Sequence, residues 1–214
     1  MAPDHYFSAQ PGSEMVVRPL STVLAGRPVE LVTAGGVFSP GGVDAGTRVL
    51  LSSVPPPPPG GDLLDLGCGW GAIALSLALE SPRATVWAID VNERALDLTR
   101  RNADRLGLTN VNAVLPEDVP AEVRFRTIWS NPPIRVGKNE LHGMLDTWLP
   151  RVDAGSDAWL VVARNLGADS LQRWIDAQHG PELHVQRAAT SKGYRVLRVR
   201  RRGAATGEIP VPIA

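Results

Sequence analysis

Apolar runs of strand length recur along this chain at 63–66, 85–89, 111–115, 127–129 and 158–162, and between them the apolar residues fall at helical spacing. No other feature constrains the fold as tightly. Strands and helices taken in turn lie down as a mostly parallel sheet with helices crossing over both faces. The helical stretches carry their own stops. Segment 70–80 is rich in Ala and Leu and ends at Ser81-Pro82, while Asn92 is placed to N-cap a helix running to Leu106. That helix has Ala95, Leu96, Leu98 and Ala103 as its apolar face and Gly107 as its end. Segments 138–149 and 169–179 stop at Pro150 and Gly180-Pro181. The last two runs, 183–189 and 194–200, flank Thr190-Ser191-Lys192-Gly193 and read as a β-hairpin. The expected fold class is therefore α/β, with a mostly parallel seven-stranded sheet, a C-terminal antiparallel hairpin and helices on both faces. A parallel sheet closed in this way is not the layout of a nicotinamide dehydrogenase.

The run Pro55 to Pro59 followed by Gly60-Gly61 can be neither helix nor central strand and predicts a stiff polyproline spacer. It separates an N-terminal cap segment, 1–54, from a core over 62–203 and a tail over 204–214. Within the cap, 29–33 reads as a short strand, 35–46 as loop, and 47–54 as one or two helical turns carrying Val49, Leu50 and Leu51. A length of 214 residues allows one compact domain, and 43% hydrophobic with 21% charged residues suits a folded chain. Basic and acidic residues balance at 22 each, so no global field draws in nucleic acid. The lone Cys68 excludes an internal disulfide framework and a multi-cysteine zinc site, and no metal is expected. The N-terminus lacks a charged segment followed by an apolar one, and no apolar run nears the ~18–20 residues of a membrane helix, so the expected address is cytoplasmic.

Between the run 63–66 and the Ala-rich helix lies Asp65-Leu66-Gly67-Cys68-Gly69-Trp70-Gly71. Glycines there permit a tight turn and let a ligand approach the backbone, and the following helix offers free N–H groups. Asp90 ends the next strand at the interval where a carboxylate meets both hydroxyls of a bound ribose; its alternative reading is a charge placed ahead of a helix N-terminus. Dinucleotide oxidoreductases and S-adenosylmethionine-dependent methyltransferases share this arrangement. Asp65 separates them, because beside a pyrophosphate its charge would repel, whereas beside the ammonium of a methionine moiety it attracts.

Ser130-Asn131-Pro132-Pro133-Ile134 follows the short run 127–129 and should sit at the same rim of the sheet. Two prolines hold the backbone extended, so the Asn131 amide oxygen and the Pro132 carbonyl converge as two acceptors. Two acceptors suit an exocyclic amino group, which has two N–H donors and a lone pair delocalised into its ring. The alternative is a polar turn with a proline stop.

Together, DLGCGWG and Asp90 resemble motifs I and II of the class I S-adenosylmethionine-dependent methyltransferases, which implies their Rossmann-like fold. The Asn-Pro-Pro motif resembles that of amino-methyltransferases acting on adenine N6, guanine N2 or a glutamine amide. The longer stretch NPPIRVGK is similar to the small-subunit ribosomal RNA guanine-N2 methyltransferases, of the methyltransferase small domain family. Gly36-Val37-Phe38-Ser39 with Asp44 and Gly46-Thr47 resembles that family's pre-core segment over the cofactor, and coverage runs over about 30–202, matching its short single-domain branch. Where family members carry an aromatic after Asn-Pro-Pro, this chain has Ile134, which packs on a base without aromatic stacking.

The resemblance implies S-adenosyl-L-methionine as cofactor, held by Phe38, Asp44 and Thr47, by Asp65, Gly67, Cys68, Gly69, Trp70 and Gly71 of the loop, and by Asp90 and Val91. Asp118 is the expected acid near the adenine amino group, its alternative being an N-cap for a helix from Val119. Asn131 through Ile134 are the expected catalytic residues, with Asn131 also touching cofactor, and Arg135 and Lys138 the expected substrate contacts. The implied activity is N-methylation, at guanine N2 of small-subunit ribosomal RNA, with ribosomal RNA or the small subunit as partner. The alternatives are adenine, protein glutamine or a small metabolite as acceptor, or a catalytically silent RNA-binding module. Arg187, Lys192, Arg195, Arg198, Arg200, Arg201 and Arg202 carry seven positive charges with no carboxylate between Glu182 and Glu208. They read either as a phosphate-binding patch or as an edge strand guarded against aggregation.

Overall fold

The computed structural model describes residues 14–203, so the expected tail and residues 1–13 of the expected cap lie outside it. The described chain opens with an antiparallel hairpin that the sequence showed only in half, β1 (Val17–Leu24) and β2 (Arg27–Ala34). Its two turn residues, Ala25 and Gly26, both have positive φ, as a two-residue hairpin loop requires. Helix α1 (Ala45–Ser53) follows, N-capped by the Asp44 carboxylate. The expected spacer is shorter than the sequence suggested, because Gly60 and Gly61 already pair with Arg83 and Ala84 as the start of a central strand.

From there the predicted alternation holds: β3 (Gly60–Leu66), α2 (Ala72–Glu80), β4 (Arg83–Ile89), α3 (Glu93–Arg105), β5 (Val111–Val114), β6 (Phe125–Ser130), α4 (Lys138–Trp148), β7 (Val152–Ala163), α5 (Ala168–His179), β8 (Leu183–Ser191) and β9 (Tyr194–Arg201). Helix α2 starts at Ala72 rather than at residue 70, since Gly69 and Gly71 take left-handed φ values of 56° and 100°. Sheet order is β5-β4-β3-β6-β7-β9-β8, parallel from β5 through β7 and antiparallel at β9 and β8. The connection reverses direction between β3 and β6, and the carboxyl ends of strands at such a switch point are where open α/β sheets bind ligands.

Alternate strand residues feed two cores. Leu64, Leu66, Ile128 and Leu160 pack under α4 and α5, while Leu63, Val86, Trp129 and Val161 pack under α1, α2 and α3. The β1–β2 hairpin makes a third layer on the far side of α2 and α3, where Leu20, Leu24 and Leu31 meet Leu75, Leu98 and Trp70. Buried Asn102 on α3 pins that layer. Its Nδ2 donates to the carbonyls of Val32 and Trp70 (both 2.9 Å), and its Oδ1 accepts from Val32 N–H at 2.8 Å. Among the described residues strand β2 has no second neighbour, so one side chain satisfies backbone that another strand would otherwise pair. Asn102→Ala strands these buried groups and should cost about 3 kcal/mol, lowering the thermal midpoint by roughly 6–12 °C. A midpoint within a degree of the parent would show that the hairpin does not depend on Asn102.

Among the described residues no helix is long and apolar enough to cross a membrane.

Candidate active site

Three strand ends build the site. At the end of β3, the N–H groups of Gly67 and Cys68 both donate to the Ile89 carbonyl (2.9 Å each), folding the glycine loop against β4. Asp90, just past β4, accepts from Gly69 N–H with Oδ2 and from Asn92 N–H with Oδ1, both at 2.9 Å. One carboxylate thus fastens the loop and the start of α3 together, and each oxygen keeps capacity for a further donor. Burial raises the Asp90 pKa from its ordinary value, and the backbone donors oppose that shift. At the end of β6, Ser130 Oγ donates to the Leu66 carbonyl at 2.6 Å and sets Asn131-Pro132-Pro133-Ile134 beside the glycine loop.

A cavity of about 970 Å³ lies over these ends. Gly67, Ile89, Asp90, Val91, Asn92 and Pro116 line it, as do Asn131, Pro132, Pro133 and Ile134. Val37, Phe38, Ser39, Pro40 and Asp44 also line it, from the segment that precedes α1. That segment is held down from beneath: Asn92 Nδ2 and the Arg94 guanidinium donate to the carbonyls of Gly36 and Gly35, and Trp70 Nε1 donates to Ser39. Three lining side chains are carboxylates, Asp44, Asp90 and Glu140, and no lysine or arginine is among those described. Such a lining favours a cation or a donor-rich edge over a phosphate.

The expected site residues fall in distinct places. Asp65 does not line the cavity but lies directly behind Leu66, fully buried on the α2 side. Its Oδ2 accepts from Ala74 N–H at 2.8 Å, capping a helix whose own N-cap, Gly71, has no side chain. Its Oδ1 has no partner among the described residues, and burial pushes its pKa up to about 8 against the Ala74 bond. Cys68, Gly69, Trp70 and Thr47 surround a small recess beside the main cavity. The Trp70 ring is buried in the third layer, so its role is to anchor the segment above. Burial and the charges of Asp90 and Asp65 raise the Cys68 thiol well above its usual range, which leaves it no nucleophilic character. Asp118 sits exposed on a single turn, Pro116–Asp118, whose Pro116 lines the cavity instead; no helix follows from Val119. Arg135 lies in the turn Ile134–Val136, and Lys138 is exposed at the start of α4.

Asn131 points its Nδ2 at Asp44 Oδ2 (2.9 Å) and Thr47 Oγ1 (3.1 Å), leaving its Oδ1 without a hydrogen-bond partner among the described residues. The Pro132 carbonyl accepts Ile134 N–H at 2.9 Å in a three-residue turn and retains a second lone pair. Glu140, Met144, Trp148, Leu166 and Tyr194 complete the wall beyond Ile134. The sequence did not single out Glu140 or Tyr194. Glu140 carried a signal only in its place, three residues past Gly137 in the first turn of a helix.

The arginine-rich end is partly paired in the structure. Two acids distant in sequence lie near in space and meet four of its seven basic residues. Arg198 makes a two-pronged contact with Asp157 (2.8 and 2.9 Å), Arg200 reaches the same carboxylate at 3.3 Å, and Arg187 and Arg195 meet Asp169. Strand β9 is also no edge, lying between β7 and β8.

A sheet with this switch point, a glycine loop hooked to an acid at the end of β4, and an Asn-Pro-Pro turn at the end of β6 define a Rossmann-like class I methyltransferase. The comparisons with known proteins agree. Residues 28–198 match the model of the methyltransferase small domain. Protein YbxB of Bacillus subtilis is 33% identical over 92% of this chain and 98% of its own length. Ribosomal RNA small subunit methyltransferase C of Hahella chejuensis is 36% identical over 79% of this chain, which spans 50% of that protein. The T. thermophilus 16S rRNA N2 G1207 methyltransferase in complex with AdoMet and guanosine superposes with a TM-score of 0.74 at 24% identity, over 90% of this chain and 52% of that one. The chain belongs to the methyltransferase small domain family and is an S-adenosylmethionine-dependent methyltransferase.

Proposed function

We propose that this methyltransferase modifies an exocyclic amino nitrogen, guanine N2 of small-subunit ribosomal RNA, in the cytoplasm. The observation that carries this reading is the unpartnered Oδ1 of Asn131 beside the half-used Pro132 carbonyl. The residues fit the cofactor: Asp65 holds back an unpaired buried oxygen for an ammonium, and a Cβ at cavity-lining Gly67 would meet no protein atom within 4 Å. When bound, S-adenosylmethionine supplies an electrophilic methyl on a sulfonium centre. Asp90 would receive the ribose hydroxyls, and Phe38, Val91 and Pro116 would enclose the adenosine. Asn131 and Pro132 would take the two amino hydrogens and turn the nitrogen lone pair toward the methyl, so that positioning supplies most of the acceleration. The methylated amine would lose its extra proton to solvent, S-adenosyl-L-homocysteine being the other product. Ile134 would pack on the base, with Arg135 and Lys138 as RNA contacts.

Two observations support the expected alternative acceptors: Ile134 offers no aromatic face, and the C-terminal arginines are mostly paired with Asp157 and Asp169. The deciding experiment offers labelled S-adenosylmethionine with 30S subunits, naked small-subunit RNA and total cell protein in parallel, followed by nucleoside mass analysis. N2-methylguanosine is the expected product. Label in protein, or none despite cofactor binding, would overturn the ribosomal reading.

A further inference from the structure

We propose that Asp44 is the positioning residue that fixes which end of the Asn131 amide faces the cavity. This rests on the reading of Asn131 as acceptor for the target amine. A primary amide is nearly symmetric in shape, yet its two ends are opposite in chemistry: the oxygen accepts from an amino group, whereas the NH2 would set donor against donor. Thr47 Oγ1, 3.1 Å from Nδ2, tolerates either end because a hydroxyl both donates and accepts. Asp44 does not, since an ionised carboxylate only accepts. With Oδ2 at 2.9 Å it admits the NH2 and excludes the oxygen.

Asp44 is itself held still. The same Oδ2 accepts from Gly46 N–H at 2.7 Å and from Thr47 N–H at 3.3 Å as the N-cap of α1. The helix start is close-packed, for a Cβ on Gly46 would come within 2.9 Å of both Asp44 Oδ2 and the Tyr194 ring. A cap on one helix therefore sets the polarity of a side chain 87 residues away at the end of β6.

Asp44→Ser tests this, because serine caps a helix start about as well as aspartate but is too short to reach the Asn131 amide at the same time. Asp44→Gly, which removes the carboxylate and is nearly as good an N-cap, serves as the second variant should the serine protein fold poorly. Asp44→Asn, whose amide oxygen the Gly46 and Thr47 N–H groups hold in the place of Oδ2, should keep parent-like exchange and turnover. The measurements are side-chain amide hydrogen exchange in protein labelled with 15N-asparagine, cofactor Kd, and kcat and KM on the RNA acceptor. The Asn131 amide protons should exchange at least about tenfold faster in Asp44→Ser, and kcat should fall about 10–100-fold. Cofactor Kd should stay within about twofold and KM should move less than kcat. Unchanged amide exchange would overturn the proposal, and so would a cofactor affinity that falls in step with turnover, which would make Asp44 a cofactor ligand. If the parent protein leaves RNA unmodified, the acceptor reading fails separately, and the amide exchange alone decides the role of Asp44.

Discussion

Asn131→Ala is expected to lower turnover by about two to three orders of magnitude, in line with loss of one preorganised group that meets the reacting centre, while cofactor Kd stays within about twofold. The asymmetry follows from the hydrogen bonds. Asn131 spends its Nδ2 on Asp44 and Thr47 and offers the cavity only Oδ1, whereas the glycine loop and Asp90 are fastened to each other without it. Removing the side chain leaves the loop in place and takes away an acceptor for the amine. Asn131→Asp probes polarity instead of presence, since a carboxylate there would face the Asp44 carboxylate and gain a proton or swing away; its turnover should lie near that of the alanine variant. Steady-state kinetics with equilibrium binding of S-adenosylmethionine gives both numbers. A variant that turns over at the parent rate would remove Asn131 from the chemistry.

The second large effect belongs to Asp65. Folding raises its pKa from 3.8 to about 8, chiefly by burial. Between those values the folded chain keeps a proton that the unfolded chain has lost, so this group's contribution to stability declines as pH rises from about 4 to about 8 and is level outside that window. Asp65→Asn should flatten that part of the stability curve measured by thermal denaturation across pH.

An ammonium placed at Oδ1 reverses the preference, since an adjacent cation favours the ionised carboxylate. Cofactor binding at pH 6.5 should then expel about one proton from the parent protein and none from Asp65→Asn, as read by calorimetry in two buffers of different ionisation heat. Affinity in the parent should climb from about pH 5 to about pH 7, the range in which the cofactor's α-amino group is still an ammonium. The asparagine variant keeps an oxygen for Ala74 but lacks the charge, and its affinity should be about 10²–10³ weaker, the usual result of deleting one member of a buried ion pair. Parent-like binding with no proton release would reduce Asp65 to the cap of α2.

Much of this site lies open in the sequence because its parts are local. A glycine triplet directly after an apolar run reads as a turn at a strand end, and the φ values of 84°, 56° and 100° at Gly67, Gly69 and Gly71 show why glycine is favoured there. Asn92 caps α3 as its place ahead of an amphipathic stretch predicts. Asn-Pro-Pro after a short strand declares its own rigidity. The hairpin strand β1 was not legible, because Val17–Leu24 contains Pro19 and buries only Leu20 and Leu24, too sparse a pattern for period two. The pairing within the arginine cluster was hidden for the opposite reason: the two acids that meet four of its members sit on β7 and α5.

What the sequence determined by itself is the alternation of strands and helices from β3 onward, the glycine loop, the two acids at the ends of β3 and β4 and the acceptor motif after β6, since each depends on neighbours only a few residues away. The tertiary structure alone decided which end of the Asn131 amide meets the cavity, which oxygen of Asp65 stays unpaired, that Glu140 and Tyr194 join the wall, and that Asp157 and Asp169 pair with four of the C-terminal arginines. Those outcomes depend on pairs separated by tens of residues, and hydrogen-bond polarity and charge compensation are set by distances that exist only once the layers have packed.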